Sequence, residues 1–382
     1  MRVASVTNAG LAFLVFLAAP VLAQDNEIEN LRTAIEELRA DYEARITELE
    51  RRLAVAEQNS TQAVYAAQQA QSLPSQPAGS DNSAFNPAIG VVFQGYLRGY
   101  DGEAREEEGF AVGETELIMS ANVDDKFAAY LTAALAFEDG ESALEVEEAW
   151  VETTALPAGF GARFGRMFSG IGYLNDKHSH TWDFTDQALP YQAFLDGRYV
   201  DNGLQLRWLA PTDLYLELGG ELMQGESDPS GLGTYSLFTN IGGDVGASHS
   251  WLAGASYLDL DETTSLSAAH FVWKWAPQGN WKERNFVFQT EYMERRDTST
   301  DTGWYAQAVF QPIQRWRFGL RADGLDLDVD DPRRYTIMTD WSNSEFSRLR
   351  FQFARSESGP DDGNEWGLQY IHSIGAHGAH AF

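Results

Sequence analysis

The sequence predicts an all-β chain: a transmembrane antiparallel β-barrel of about 16 strands (roughly 14 to 18), preceded by a periplasmic coiled-coil helix. Three observations carry this reading. Short segments with apolar residues at every second position run from about Ala88 to Phe382. The residues between them carry charges of both signs at mid-segment, which suits a water-lined interior. The chain also opens on an export signal. One long break, Ser169–Arg198, falls between the fifth and sixth segments. An irregular stretch of about 30 residues in a compact domain marks a functional loop, here one expected to fold inward and narrow a pore.

Composition sets the outer limits. The 382 residues include no cysteine, which excludes disulfides and thiolate metal sites. Lys and Arg total 27 against 57 Asp and Glu, a formal charge of -30 that argues against nucleic acid as a partner. Aromatic residues make up 13%, including 11 Trp, enough surface to bury despite the acidity. Mean hydropathy is -0.35, a value that a barrel with one polar and one apolar face shares with a soluble protein.

At the N-terminus, Met1–Arg2 is a short basic end, Leu11–Ala19 an apolar run, and Val21 and Ala23 are the compact residues before a cleavage point. Residues 1–23 therefore read as a signal peptide, the run being shorter than the ~20 residues a spanning helix needs. Residues 24–58 read as one helix. Ile28, Leu31, Ile35, Leu38, Tyr42, Ile46, Leu49, Leu53 and Ala56 form a heptad seam with a stutter near Tyr42. A lone helix of about four heptads is marginal, so the seam predicts self-association; the alternative is an amphipathic helix packed on its own domain. Residues 59–84, rich in Gln, Ser and Ala and broken by Pro74 and Pro77, read as a flexible linker.

Residues 85–382 form the ladder. Leu204, Leu206 and Trp208 alternate with Gln205 and Arg207, and Trp316, Phe318 and Leu320 with Arg317 and Arg321. Leu349, Phe351 and Phe353 alternate in the same way with Arg348, Arg350 and Gln352. Period 2 is the strand signal. The polar parity supplies the expected pore lining: Arg98, Glu114, Glu116, Arg207, Glu217, Glu221, Lys274, Glu291, Arg317, Arg321, Arg348 and Arg350. Glu147-Glu148 and Arg163 to Arg166 break parity and suggest bulges. Short turns such as Ala210–Asp213 and Gln311–Arg315 alternate with longer acidic loops such as Asp101–Gly109, Gln224–Gly231 and Asp326–Arg333. That is how the two rims of an outer-membrane barrel differ. A terminal Phe382 on the last strand resembles the signal read by the barrel-assembly machinery.

Several blocks are similar to a family of Gram-negative outer-membrane proteins commonly labelled zinc-regulated or TonB-dependent receptors. They are GRMFSGIGYLNDKHSHTWDF (Gly165–Phe184), LQLRWLAPTDLYLELGGEL (Leu204–Leu222), GGDVGASHSWLAGASYL (Gly242–Leu258), FVWKWAPQGN (Phe271–Asn280) and DPRRYTIMTDWSNSEFSRLR (Asp331–Arg350). The likeness opens at FNPAIG, Phe85–Gly90, and covers most of the ladder. It implies an outer-membrane barrel. The receptor half of the label fails on size, since a plugged transporter of about 22 strands needs a longer chain. Strand count, stem and inward loop look more like trimeric general and phosphate-selective porins, which implies a homotrimer held by the coiled coil.

In the long break, Asp176, Lys177, His178, His180, Asp183 and Asp186 are the expected constriction residues. His178 and His180 are also candidate Zn²⁺ ligands, since imidazole and carboxylate suit that ion; the alternative is that they bond the loop to the wall. No other cofactor is expected. The predicted function is passive diffusion of small hydrophilic solutes or ions, with lipid and lipopolysaccharide as surroundings. Acidic loops (Asp101, Glu103, Glu106 to Glu108; Asp326, Asp328, Asp330, Asp331) would concentrate cations at the mouth. The rivals are a non-conducting tether and an outer-membrane hydrolase. Ser179 between two His invites the latter, without a nucleophile elbow beside it.

Overall fold

A computed structural model describes residues 87–101, 108–122, 124–138, 141–153, 155–225, 233–261, 263–358 and 362–375. The expected signal peptide, coiled coil, linker and terminal Phe382 lie outside the described residues, as do Glu103, Glu106 and Glu107. The described chain is one antiparallel sheet closed on itself. Its strands are β1 (Ala88–Tyr100), β2 (Gly109–Val112 and Thr115–Asn122), β3 (Phe127–Glu138), β4 (Glu141–Thr153), β5 (Phe160–Phe168), β6 (Val200–Leu209), β7 (Tyr215–Met223) and β8 (Thr234–Val245). They continue as β9 (His249–Asp259), β10 (Ser265–Trp275), β11 (Asn285–Arg296), β12 (Thr300–Ile313), β13 (Trp316–Asp326), β14 (Arg333–Ser344), β15 (Ser347–Glu357) and β16 (Gly363–Gly375). Both pieces of β2 pair with β1, so they count as one strand interrupted at Gly113-Glu114, and the barrel has sixteen. β1 and β16 close the ring from Gly90↔Gly375 to Tyr100↔Glu365.

Side chains are sorted the opposite way from a soluble protein. On β13, Leu320 is 62% exposed while its neighbour Arg321 is 4% exposed. Phe318, Leu206, Leu237, Ile337 and Phe351 likewise face outward, and Gln94, Glu116, Glu291, Arg350 and Gln369 are buried inside. Such an apolar exterior is stable only against an apolar solvent. Aromatic pairs cluster at the rim opposite the one where the long break leaves the wall: Phe160 with Trp208, Trp273 with Phe286, and Trp316 with Phe318 and Trp341. That is the position of an interfacial girdle.

Of the two suspected irregularities, one is real. The β3–β4 register shifts between Thr132↔Glu148 and Ala133↔Val146, leaving Glu147 as the bulged residue. Arg163 to Arg166 keep an unbroken register against both neighbours. Parity there fails because Arg166 sits on the outward side, its Nε donating to the Val146 carbonyl at 2.8 Å. Connection lengths also differ from expectation. β3 and β4 are joined by residues 139–140 and β11 and β12 by Asp297–Ser299, whereas residues 276–284 make a longer link at the opposite rim. Charged residues such as Arg295, Arg296 and Asp301 continue the ladder past the apolar band, because a strand end in water needs backbone partners and not oily side chains.

Replacing Leu320 by Arg, at mid-strand on the outer face, should destabilise the barrel by about 2–4 kcal/mol in denaturant titrations with lipid vesicles. Soluble folding of the chain without detergent would contradict the sorting.

Candidate constriction site

Residues 169–199 leave the wall between β5 and β6 and turn into the barrel. Asn175 ties the two ends of this loop together. Its Nδ2 donates to the Ser169 and Tyr199 carbonyls (2.8 and 2.9 Å) and its Oδ1 accepts from Tyr199 N (2.7 Å). Two wall carboxylates then hold the descending arm. Glu221 accepts from Ser169 Oγ (2.6 Å) and Gly170 N (2.8 Å), and Glu291 from Tyr173 N (2.9 Å) and the Tyr191 hydroxyl (2.8 Å).

The ascending arm contains α1 (Leu189–Leu195), started by Pro190 in the first turn and stopped by Asp196 in the left-handed region with Gly197 behind it. Tyr191, Phe194 and Leu195 pack on Leu258, Leu266, Met293, Tyr305 and Leu325 of β9 to β13. Here the inward parity is oily because a loop, and not water, covers it.

The wall facing the loop tip is divided by charge. On one side β2 and β4 present Glu114, Glu116, Glu147 and Glu148 to the loop's basic groups. His178 Nε2 is 3.0 Å from Glu148 Oε2, His180 Nδ1 3.0 Å from Glu116 Oε1, and Arg198 Nη2 2.6 Å from Glu147 Oε1. On the other side β13 to β15 present arginines to the loop's acids and carbonyls. Arg317 donates to Asp183 (2.7 Å), Arg321 and Arg334 to Asp186 (2.7 and 2.6 Å), and Arg350 to the Phe184 and Trp182 carbonyls (2.8 and 2.6 Å). Asp340 braces this bank through Arg317, at 2.5 Å. Burial works against the imidazolium of His178, but the carboxylates of Glu147, Glu148 and Glu116 outweigh it and push its pKa up to about 10. Burial likewise works against the Asp186 carboxylate, yet Arg321 and Arg334 hold it well below the usual carboxylate range.

Beside the tip a cavity of about 200 Å³ remains between the loop and β10 to β13, with Lys177, Asp183, Asp186, Lys274, Gln289 and Arg321 in its lining.

No family model matches the chain. An uncharacterized protein of Aquifex aeolicus (strain VF5) is 31% identical over 363 residues, spanning 77% of this chain and 74% of that protein. The chain belongs to the family of that Aquifex protein. Among solved structures it is similar to OprB of Pseudomonas putida (TM-score 0.55, 10% identity, 75% of this chain and 94% of that one). It is also similar to the anion-selective porin from Comamonas acidovorans (0.53, 10%, 76% and 99%) and to the outer membrane channel DcaP of Acinetobacter baumannii (0.52, 12%, 78% and 100%). At such identities the likeness is one of fold, a porin barrel. It gives no support to the receptor or zinc-regulated label.

The twelve expected lining residues all turn inward, but the loop covers some of them. Glu116, Glu221, Glu291 and Arg350 are 0 to 3% exposed and serve as its anchors. Glu114 lies in the break within β2, its carboxylate on Arg198 and Ser179. Arg207 and Glu217 form a network with Glu152 near the turns, and Arg98 stacks over Tyr96. Lys177, Asp183 and Asp186 reach the cavity and Asp176 pairs with Lys177 at 3.2 Å, whereas His178 and His180 are buried against β2 and β4, away from it. Ser179 Oγ accepts from Gln94 Nε2 (2.7 Å) and donates to Glu114 Oε2 (3.1 Å), partners that tether it to the wall. The sequence reading missed Glu147, Glu148, Arg334 and Asp340. The last two were available from parity, since Tyr335, Ile337 and Trp341 alternate with them; Glu147 was hidden by its bulge.

Asp186→Asn leaves Arg321 and Arg334 facing a neutral group, a loss on the order of 3 kcal/mol to loop docking. Limited proteolysis within 169–199 should speed up accordingly. Because Asp186 titrates below its unfolded value of about 3.9, its contribution is complete above that pH and fades only as pH falls further. Wild-type protection should therefore persist down to about pH 4 and decline below it.

Proposed function

We propose that the protein is an outer-membrane channel of porin type, through which small hydrophilic solutes or ions diffuse past an inward-folded loop. The observation that carries this is the cavity left between the loop and β10 to β13, with Lys177, Lys274, Gln289 and Gln307 on its border, inside a barrel whose exterior is apolar. Porin and channel neighbours of the same fold support the reading. The expected periplasmic stem and homotrimer belong to the same proposal, tested by cross-linking in membranes.

Two features pull selectivity in opposite directions. Asp326, Asp328, Asp330 and Asp331 in the β13–β14 loop favour cations at the mouth. At the gap, Asp183 and Asp186 are paired with Arg317 and Arg321, and two lysines, Lys274 and the Asp176-paired Lys177, stand beside them. Fields are strongest where the passage is narrowest. A cation preference in reversal-potential measurements would assign selection to the mouth.

In planar bilayers the full chain should conduct, and deletion of residues 175–187 should raise the single-channel conductance several-fold. Replacing Lys177 and Lys274 by Gln should move the reversal potential toward cation preference. A barrel silent both with and without the loop segment would favour the tether reading.

A further inference from the structure

We propose that Glu116, Glu147 and His178 form a binding site for a divalent cation of the zinc type, which fastens the inward loop to the barrel wall. One ligand atom from each, Glu116 Oε2, Glu147 Oε2 and His178 Nδ1, lies within 4.8 Å of the others. His178 Nδ1 is 3.5 Å from both carboxylate oxygens. In a tetrahedral site with metal–ligand bonds of about 2.0–2.1 Å, neighbouring donors stand about 3.3 Å apart. The two separations from His178 Nδ1 are close to that value, and the two carboxylate oxygens, within 4.8 Å of each other, would draw together on an ion.

These same three atoms are buried and lack a hydrogen-bond partner, on residues 0, 7 and 5% exposed. What sets these three apart is that they converge: Nδ1 stands at ion-pair distance from both carboxylate oxygens without a hydrogen bond to either, and an ion bound there would take the place of the Nδ1 proton. Four carboxylates (Glu114, Glu116, Glu147 and Glu148) gather around the point, with the Arg198 guanidinium on Glu114 and Glu147.

The remaining atoms of each ligand are held as an outer shell holds them. Glu148 Oε2 takes His178 Nε2 at 3.0 Å, leaving Nδ1 to face the site. His180 Nδ1 holds Glu116 Oε1 at 3.0 Å, and Arg198 Nη2 holds Glu147 Oε1 at 2.6 Å. In this arrangement His180 is a positioning residue and not a ligand. Glu147 reaches the site because it is the bulged residue of β4, and bulges re-aim side chains in this way. One imidazole and two carboxylates suit Zn²⁺ better than Mg²⁺ or Ca²⁺, which prefer all-oxygen shells. His178 comes from the loop, Glu116 from β2 and Glu147 from β4, so an ion here bridges plug and wall. This holds whether or not the barrel conducts.

The test uses the full chain folded in detergent, stripped with chelator and titrated with zinc chloride. One zinc per chain should bind, and millimolar magnesium should not displace it. Glu147→Gln and His178→Asn should each weaken binding at least 100-fold, and His180→Asn by about 10- to 100-fold. Replacing His249 of β9 and His372 of β16, which lie outside the cluster, by Asn should leave it unchanged. Zinc should slow proteolysis within 169–199 in the wild type and not in Glu147→Gln. Should the variants fail to fold, the cobalt-loaded wild type decides: strong visible bands of a four-coordinate ion support the site, and the weak spectrum of aqueous cobalt overturns it. Absence of zinc binding in the wild type, or equal affinity in folded Glu147→Gln and His178→Asn, also overturns it.

Discussion

In hydrocarbon there is no water to satisfy a free backbone N–H or C=O, so a sheet that crosses it must have no edge. The β1–β16 ladder meets that requirement, and the rest of the molecule follows from it. A closed ring of pleated strands has an inside and an outside at alternate residues. Oily groups must take the outside, and the polar set is confined to a lumen too wide to be filled by wall side chains alone.

The loop between β5 and β6 answers the second problem. It brings into the lumen both kinds of partner the wall needs: imidazole and guanidinium for the β2 and β4 carboxylates, aspartates and carbonyls for the β13 to β15 arginines. Buried ion pairs add little net stability, but breaking one is costly. Their effect here is to fix the loop's position and rotation, since a loop turned half-way round would set like charges together. α1 adds an oily contact at one side, so polar matching supplies orientation and hydrophobic burial supplies adhesion.

Local irregularities serve the same end. The bulge at Glu147 puts two consecutive glutamates on the lumen side, which a regular strand cannot do. Three residues along β4, opposite Trp150, Gly165 has φ +133, and a Cβ there would collide with the Ala149 carbonyl. β5 therefore needs glycine at this position to keep its pairing with β4. The break at Gly113-Glu114 frees Glu114 to meet Arg198 and Ser179.

The sequence by itself determined the architecture. Period 2, the sign-mixed polar parity and the one long break are local patterns, and they located the strands, the inward faces of Arg317, Arg321, Arg348 and Arg350, and the loop's boundaries close to where they fall. Tertiary structure alone decided which inward residues meet water and which meet the loop. Parity treats Glu291 and Lys274 alike, yet the first is sealed under Tyr173 and Tyr191 and the second borders the cavity. It also decided that His178 faces Glu116 and Glu147, residues 62 and 31 positions earlier in the chain. No spacing rule joins them, because a barrel brings strands together by closure, and a bulge shifts the face on which one of the three appears.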